Sequence, residues 1–197
     1  NSIGKSGLSE LTFAMWIFPD DDSKPYMLGG TTNNQTGNGF NLYLRGGQTG
    51  EEYAFNIDGI DLRKGNIVVN AWHYVVGTYD GSKMILYVDG VSIGSRSGVS
   101  GDIYSNSADL YIGDIYNSTA SSMDGKIDEV AIWNEALTAA EITALYNSGL
   151  PLPASSNSGN YTSSGSLIAY WKFNEGSGAT LTDQTSNSNN GTITGAT

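Results

Sequence analysis

The chain has 197 residues, no cysteine, and 9 Lys and Arg against 20 Asp and Glu, a net charge of −11. The length suits one sizeable domain; the missing cysteines exclude disulfides and thiol metal sites; and the acidity argues against nucleic acid or an anionic membrane as partner. No apolar run approaches membrane-spanning length, and a chain that begins at Asn1 reads as a processed or excerpted piece of a longer product.

Residues 8–18 read as the first strand, with Phe13, Met15 and Ile17 on one face and Ala14, Trp16 and Phe18 on the other, stopped by Pro19 and the aspartates at 20–22. Residues 26–29 and 40–44 are shorter strands around a Thr, Asn and Gly loop. Residues 53–57 pair with a later partner across Asp58-Gly59, and 67–69 read as a further short strand. In 72–79 large side chains alternate on both faces, Trp72, Tyr74 and Val76 against His73, Val75 and Tyr79, as in an interior strand. A turn over 80–83 returns the chain as strand 84–88, and Asp89-Gly90 reverses it again. Residues 94–106 are small and polar, and 110–113 resume extended structure. Short strands with turn signals every ~8–12 residues predict an antiparallel sandwich.

One helix stands out near residues 138–147. Thr138 with Glu141 forms a capping box, Ile142, Leu145 and Tyr146 give a 3.6-residue stripe, and Gly149 and Pro151 end it. Residues 148–166 are mostly Ser, Gly, Asn and Pro and read as a linker with almost no apolar anchor. Beyond it, 167–173 is extended and apolar again.

Three blocks carry a family resemblance: Trp72-His73 to Tyr79-Asp80-Gly81 with Ile85 to Gly90; Gly125 to Asn134 with the helix after it; and Ile168 to Gly178, followed by Asp183 and Asn189 to Thr192. Together they resemble the laminin-G-like members of the concanavalin A-like lectin/glucanase superfamily. The resemblance implies an all-β, antiparallel two-sheet jelly-roll sandwich with one short helix. The third block opens the domain in that family and comes last here, so the chain looks circularly permuted, and a family strand between the Asn-Gly-Thr segment and the strand at 11–18 is missing. Residues 1–147 are then the body of the sandwich and 148–166 the linker. Residues 167–197, with Tyr170, Trp171 and Phe173, complete the same sandwich or that of a neighbouring copy.

For chemistry, Asp128 and Glu129 are adjacent, and strand neighbours point to opposite faces, so they make no cleft pair of glucanase type. His73 is the sole histidine and reads as packed rather than catalytic. No enzyme is expected. The loop 183–191 concentrates oxygen donors suited to calcium, though such loops also make good turns; the resemblance implies a structural Ca2+ held by Asp183, with Glu175, Asp128 and the region of Asn190. Exposed tyrosines (Tyr26, Tyr43, Tyr104, Tyr116 and Tyr161) are the sugar-stacking candidates, with Asp114, Tyr116 and Asn117 as the ligand set. The leading expectation is a non-catalytic extracellular structural or adhesive module, a unit of a filament, surface array or virion appendage that joins copies of itself by strand complementation. The alternative is a glycan-binding, lectin-like module of a secreted enzyme or adhesin. Neither nucleic acid nor membrane insertion is expected.

Overall fold

The computed structural model describes residues 3, 7–22, 26–31, 37–46, 51–105, 109–114 and 122–196, with Tyr26 and Met27 as backbone alone. In chain order the strands are β1 (Leu11–Pro19), β2 (Tyr26–Gly30), β3 (Phe40–Arg45), β4 (Glu52–Ile57), β5 (Ile60–Lys64), β6 (His73–Tyr79), β7 (Lys83–Val88), β8 (Val91–Ser97), β9 (Tyr111–Ile112) and β10 (Gly125–Trp133). Helix α1 (Ala139–Tyr146) follows, then β11 (Leu167–Trp171), β12 (Thr180–Leu181) and β13 (Gly191–Thr192).

A six-stranded sheet in the order β11-β10-β1-β6-β7-β8 packs on a five-stranded sheet in the order β5-β4-β3-β2-β9, and β12 and β13 form a separate ribbon. All the pairings are antiparallel. The jelly-roll sandwich read from the sequence is the fold. Between the sheets lie Phe13, Met15 and Ile17 of β1, Val75 and Tyr79 of β6, and Leu42, Leu44, Phe55 and Ile57 of the facing sheet. Burying each such side chain contributes about 1.5–3 kcal/mol. The layers touch most closely where the Phe55 ring lies over Gly77: a Cβ there would stand 2.5 Å from ring carbons, so that position admits no side chain.

The other face of the six-stranded sheet is also apolar, since strands with large residues on both faces need two coverings. Ala14, Trp16, Tyr74, Val76, Tyr87, Ala131, Trp133, Leu167 and Tyr170 form a second core there, with Ile142 and Leu145 of α1. The capping box on α1 forms as expected, and the helix ends within the expected bounds, at Asn147 in the left-handed conformation two residues before Gly149.

Residues 67–69, the start of 94–106 and the segment 148–166 depart from the sequence reading. Residues 67–69 are not a strand, and the small, polar stretch at the start of 94–106 continues β8, an edge strand with no fully buried residue. The segment 148–166 is no free linker. Ala154 and Tyr161 are buried in the second core, and the Tyr161 hydroxyl accepts from Trp133 Nε1 at 2.9 Å and donates to the Ala154 carbonyl at 2.7 Å. Leu152 packs partly buried against the same core, so a few apolar anchors in a polar run dock it. Of the two partners left open for residues 167–197, the pairing seen is with the same chain: β11 pairs in register with β10, Val130 opposite Trp171 and Ala131 opposite Tyr170, with Trp171 in the inner core and Tyr170 in the outer one. Phe173 packs partly buried against the inner core.

Glu141 ties the helix to the docked segment. One carboxylate oxygen accepts from the Thr138 N–H and hydroxyl at 3.0 and 2.8 Å, the other from the Ser163 hydroxyl at 2.6 Å and from Thr162. Burial alone would raise its pKa, but these hydrogen bonds outweigh burial and hold it at about 2. A carboxylate lowered in the folded state adds stability above its unfolded pKa, and that stability is lost as pH falls from about 4.5 to about 2. Glu141→Gln is therefore expected to lower unfolding free energy by about 2–3 kcal/mol at neutral pH, with the gap to wild type closing across that acid window in urea titrations. A gap independent of pH would contradict the clamp.

Candidate functional site

Helix α1 and the docked segment cover only part of the outer face of the six-stranded sheet. The last covering ring is Tyr146, stacked on Trp16 at 5.7 Å, and Trp16 stacks in turn on Tyr74 at 5.3 Å. One row further along the same face, past the Ile17–His73 pair, Phe18 meets Trp72 edge to face at 5.8 Å. Lys126, opposite Phe18 in the register with β10, holds its ammonium 4.7 Å above the Phe18 ring. In this row Phe18 is half-buried and Trp72 is exposed. Trp72 is 42% exposed, whereas Trp16, Trp133 and Trp171 are 4%, 0% and 2% exposed. Trp72 was expected inside the central strand; β6 begins one residue later, at His73, and leaves the indole at the rim. His73 is packed as expected, its Nδ1 2.8 Å from Asp89 Oδ2.

A β-bulge completes the face. Ala14 pairs with Ala131 and Trp16 with Asp128, so two residues of β10 oppose one of β1, and Glu129 adopts φ +50°. Val130 points into the inner core. The extra residue therefore turns Asp128 and Glu129 to the same, outer side, beside Trp16 and Tyr170. This corrects the reading that adjacency sends them to opposite faces: strand alternation holds only where the ladder is regular. The Tyr170 hydroxyl donates to Glu129 Oε2, the Glu129 N–H donates to Asp128 Oδ1 at 2.8 Å, and Lys172 stands 5.7 Å from the Tyr170 ring centre. Burial raises the Asp128 pKa against that N–H, and burial with the neighbouring Asp128 charge raises Glu129 against the Tyr170 hydroxyl and Lys172. No residue type signals such a bulge in this sequence; a Glu in the left-handed region is uncommon.

Other predicted site residues lie elsewhere. Asp183 is a hydrogen-bond hub: Oδ1 accepts from the N–H groups of Tyr170 and Thr185, both at 3.0 Å, and Oδ2 from the Thr185 hydroxyl and the Asn189 N–H, both at 2.8 Å. Asn190 Oδ1 accepts from the Asp183 N–H at 3.0 Å, and Glu175 Oε1 from the Thr182 N–H at 2.9 Å, across the Gly176–Gly178 turn. Asp128 is engaged at the bulge instead. Among the described residues no three His, Cys, Asp or Glu side chains converge as a metal set. Of the ligand trio, Asp114 is half-buried after β9, while Tyr116 and Asn117 lie outside the described residues. Tyr43 and Tyr161 are buried rather than exposed, Tyr104 is 65% exposed, and the side chain of Tyr26 is not described.

With four donors already on Asp183, the hub reading expects equal thermal midpoints in calcium and in chelator, and a loss of about 2–4 kcal/mol for Asp183→Ala. A midpoint that rises with calcium and does not rise in that variant would instead give Asp183 to a cation.

The two packed sheets and the short capped helix define an antiparallel jelly-roll domain with an exposed aromatic at the rim of one sheet face. Residues 3–143 match the model of the concanavalin A-like lectin/glucanases superfamily, so the chain belongs to that superfamily. No curated protein matches it by sequence. Among solved structures it is similar to a candidate carbohydrate-binding protein from Bacteroides ovatus, at 21% identity and a TM-score of 0.75, over 95% of this chain and 52% of that one. The chain thus spans about half the length of that protein. It is also similar to domain 4 of AbnA, an extracellular arabinanase of Geobacillus stearothermophilus solved with arabinotriose (16% identity, TM-score 0.58, 72% of this chain and 68% of that one). A third likeness is the CBM40 of the Ruminococcus gnavus IT-sialidase bound to α2,3-sialyllactose (15% identity, TM-score 0.56, 71% and 83%). At these identities the likenesses speak to the fold.

Proposed function

We propose that the domain is a non-catalytic glycan-binding module acting outside the cell, and that the row Trp72, Phe18 and Lys126 with the Asp128–Glu129 pair is its ligand face. The observation that carries this is the 42% exposure of Trp72 against Phe18 while the other tryptophans are buried. A flat indole half out of water offers a surface for the apolar face of a sugar ring, and nearby carboxylates and an ammonium offer partners for hydroxyls. The superfamily and the names of the similar structures support the same reading.

The structural or adhesive reading by strand complementation has less support, because the strand to be donated, β11, is taken up by β10 of the same chain. A glycan-holding surface module remains adhesive in effect. A structural calcium is carried only by the resemblance and by the oxygen-rich loop.

A glycan array with labelled protein is expected to return a set of ligands whose binding weakens at least about tenfold in Trp72→Ala and less in Phe18→Ala, with both variants keeping the wild-type thermal midpoint. The bound glycan should show no new reducing ends on incubation. Binding unchanged in Trp72→Ala would remove this face as the site, and reducing-end release that falls in Glu129→Gln would move the protein to the hydrolases.

A further inference from the structure

The nine Lys and Arg of this acidic chain are unevenly placed. Arg63, Lys64 and Arg96 line one groove of about 590 Å³ between β5 and β8, the edge strands that meet on one side of the sandwich. The volume falls within the ~300–1,000 Å³ of small-molecule sites. Asp61 is the one acid in the lining, and its charge is answered locally: Oδ1 accepts from Asn56 Nδ2 at 2.7 Å and the Tyr43 hydroxyl at 2.9 Å, while Oδ2 is paired with Arg63. The groove is left with a net positive lining on a protein of charge −11.

The two exposed cations are positioned by the fold. Arg96 donates from Nη1 to the Asp61 main-chain carbonyl at 2.6 Å, which fixes its guanidinium at the rim of β5. Lys64 lies with its stem across Gly94 of β8: a Cβ at 94 would stand 2.4 Å from Lys64 Cγ and 3.1 Å from Cδ. The absence of a side chain at 94 is thus what lets the lysine lie along the strand next to Ser95 and Arg96.

We propose that the β5–β8 groove is a second binding site, for an acidic saccharide, with Arg96 and Lys64 holding the sugar's carboxylate and Ser95 beside them. An anion is favoured because charge-assisted hydrogen bonds from two neighbouring cations, one of them fixed, reward it most. The long-range field of the chain repels an extended polyanion, whereas a short anionic sugar within a Debye length, ~8 Å, is governed by the local cations. Addition of a peptide strand to the β5 edge is disfavoured, since Arg96 already occupies the Asp61 carbonyl that such a strand would use. That the anion comes on a sugar rests on the glycan reading above; the groove itself is separate from Trp72.

The test is titration calorimetry of the whole chain with two short probes, galacturonic acid and a sialylated lactose, each beside its neutral counterpart, the methyl ester of galacturonic acid and lactose. Binding of at least one acidic probe is expected, weakened about tenfold or more in its neutral form and in the Arg96→Gln/Lys64→Gln double variant, and falling with added salt. Trp72→Ala should leave it unchanged. Both substituted side chains are exposed, and unchanged thermal midpoints would show that the variants fold. Failure of both acidic probes, equal affinity for acidic and neutral forms, or binding that survives the double variant would overturn the second site. Acidic-probe binding lost in Trp72→Ala instead would place these sugars on the aromatic face, overturning this inference while leaving the glycan reading intact.

Discussion

The constraint on which the structure depends is that β1, β6 and β10 are apolar on both sides. Phe13, Met15 and Ile17 fill the space between the sheets, and Ala14 and Trp16, one residue off in phase, make the same demand on the outside. A sheet with two apolar faces needs a covering layer beyond its partner sheet. Helix α1 and the segment 148–166 supply that layer, with Tyr161 bonded to Trp133 as its deepest anchor. The covering stops at Tyr146, and what it leaves open is the row of Phe18 and Trp72. The candidate site is thus defined by where the cover ends.

The carboxylate pair follows from a second local event. One extra residue in β10 brings Asp128 and Glu129 to the same face and places Glu129 at a positive φ, an arrangement that costs on the order of 1–3 kcal/mol. The Tyr170 hydroxyl meets Glu129 from β11, so the strand that completes the six-stranded sheet also braces the bulge. Cover, bulge and terminal strand act on one region, which explains how a segment far along the sequence shapes a face built mainly from earlier strands.

Much of the fold was legible from local pattern. The two-faced alternation of β1 and β6, the hairpin to β7 and the Thr138–Glu141 box are all encoded within a few residues of one another, and each appears as read. The site was far less legible. Trp72 sits one residue outside its strand, a boundary that alternation cannot fix. The bulge lacks a glycine to announce it, and Tyr161 is one aromatic in a run of Ser, Gly and Asn whose burial depends on Trp133, 28 residues away. β8 escaped because an edge strand with a mostly exposed pattern carries no apolar signature. Local periodicity reports burial; it does not report where a covering layer stops.

The most direct measurement is solvent exchange of the tryptophan indole N–H groups by NMR, followed through a titration with a glycan that binds. Trp133 and Trp171 donate to the Tyr161 hydroxyl and to the Asn189 carbonyl from buried positions and should exchange slowly, while Trp72 should exchange fast and be the indole that shifts and slows when glycan is added. A Trp72 indole as protected as the others, or one that ignores a bound glycan, would contradict the exposed aromatic rim as the place where this protein meets its ligand.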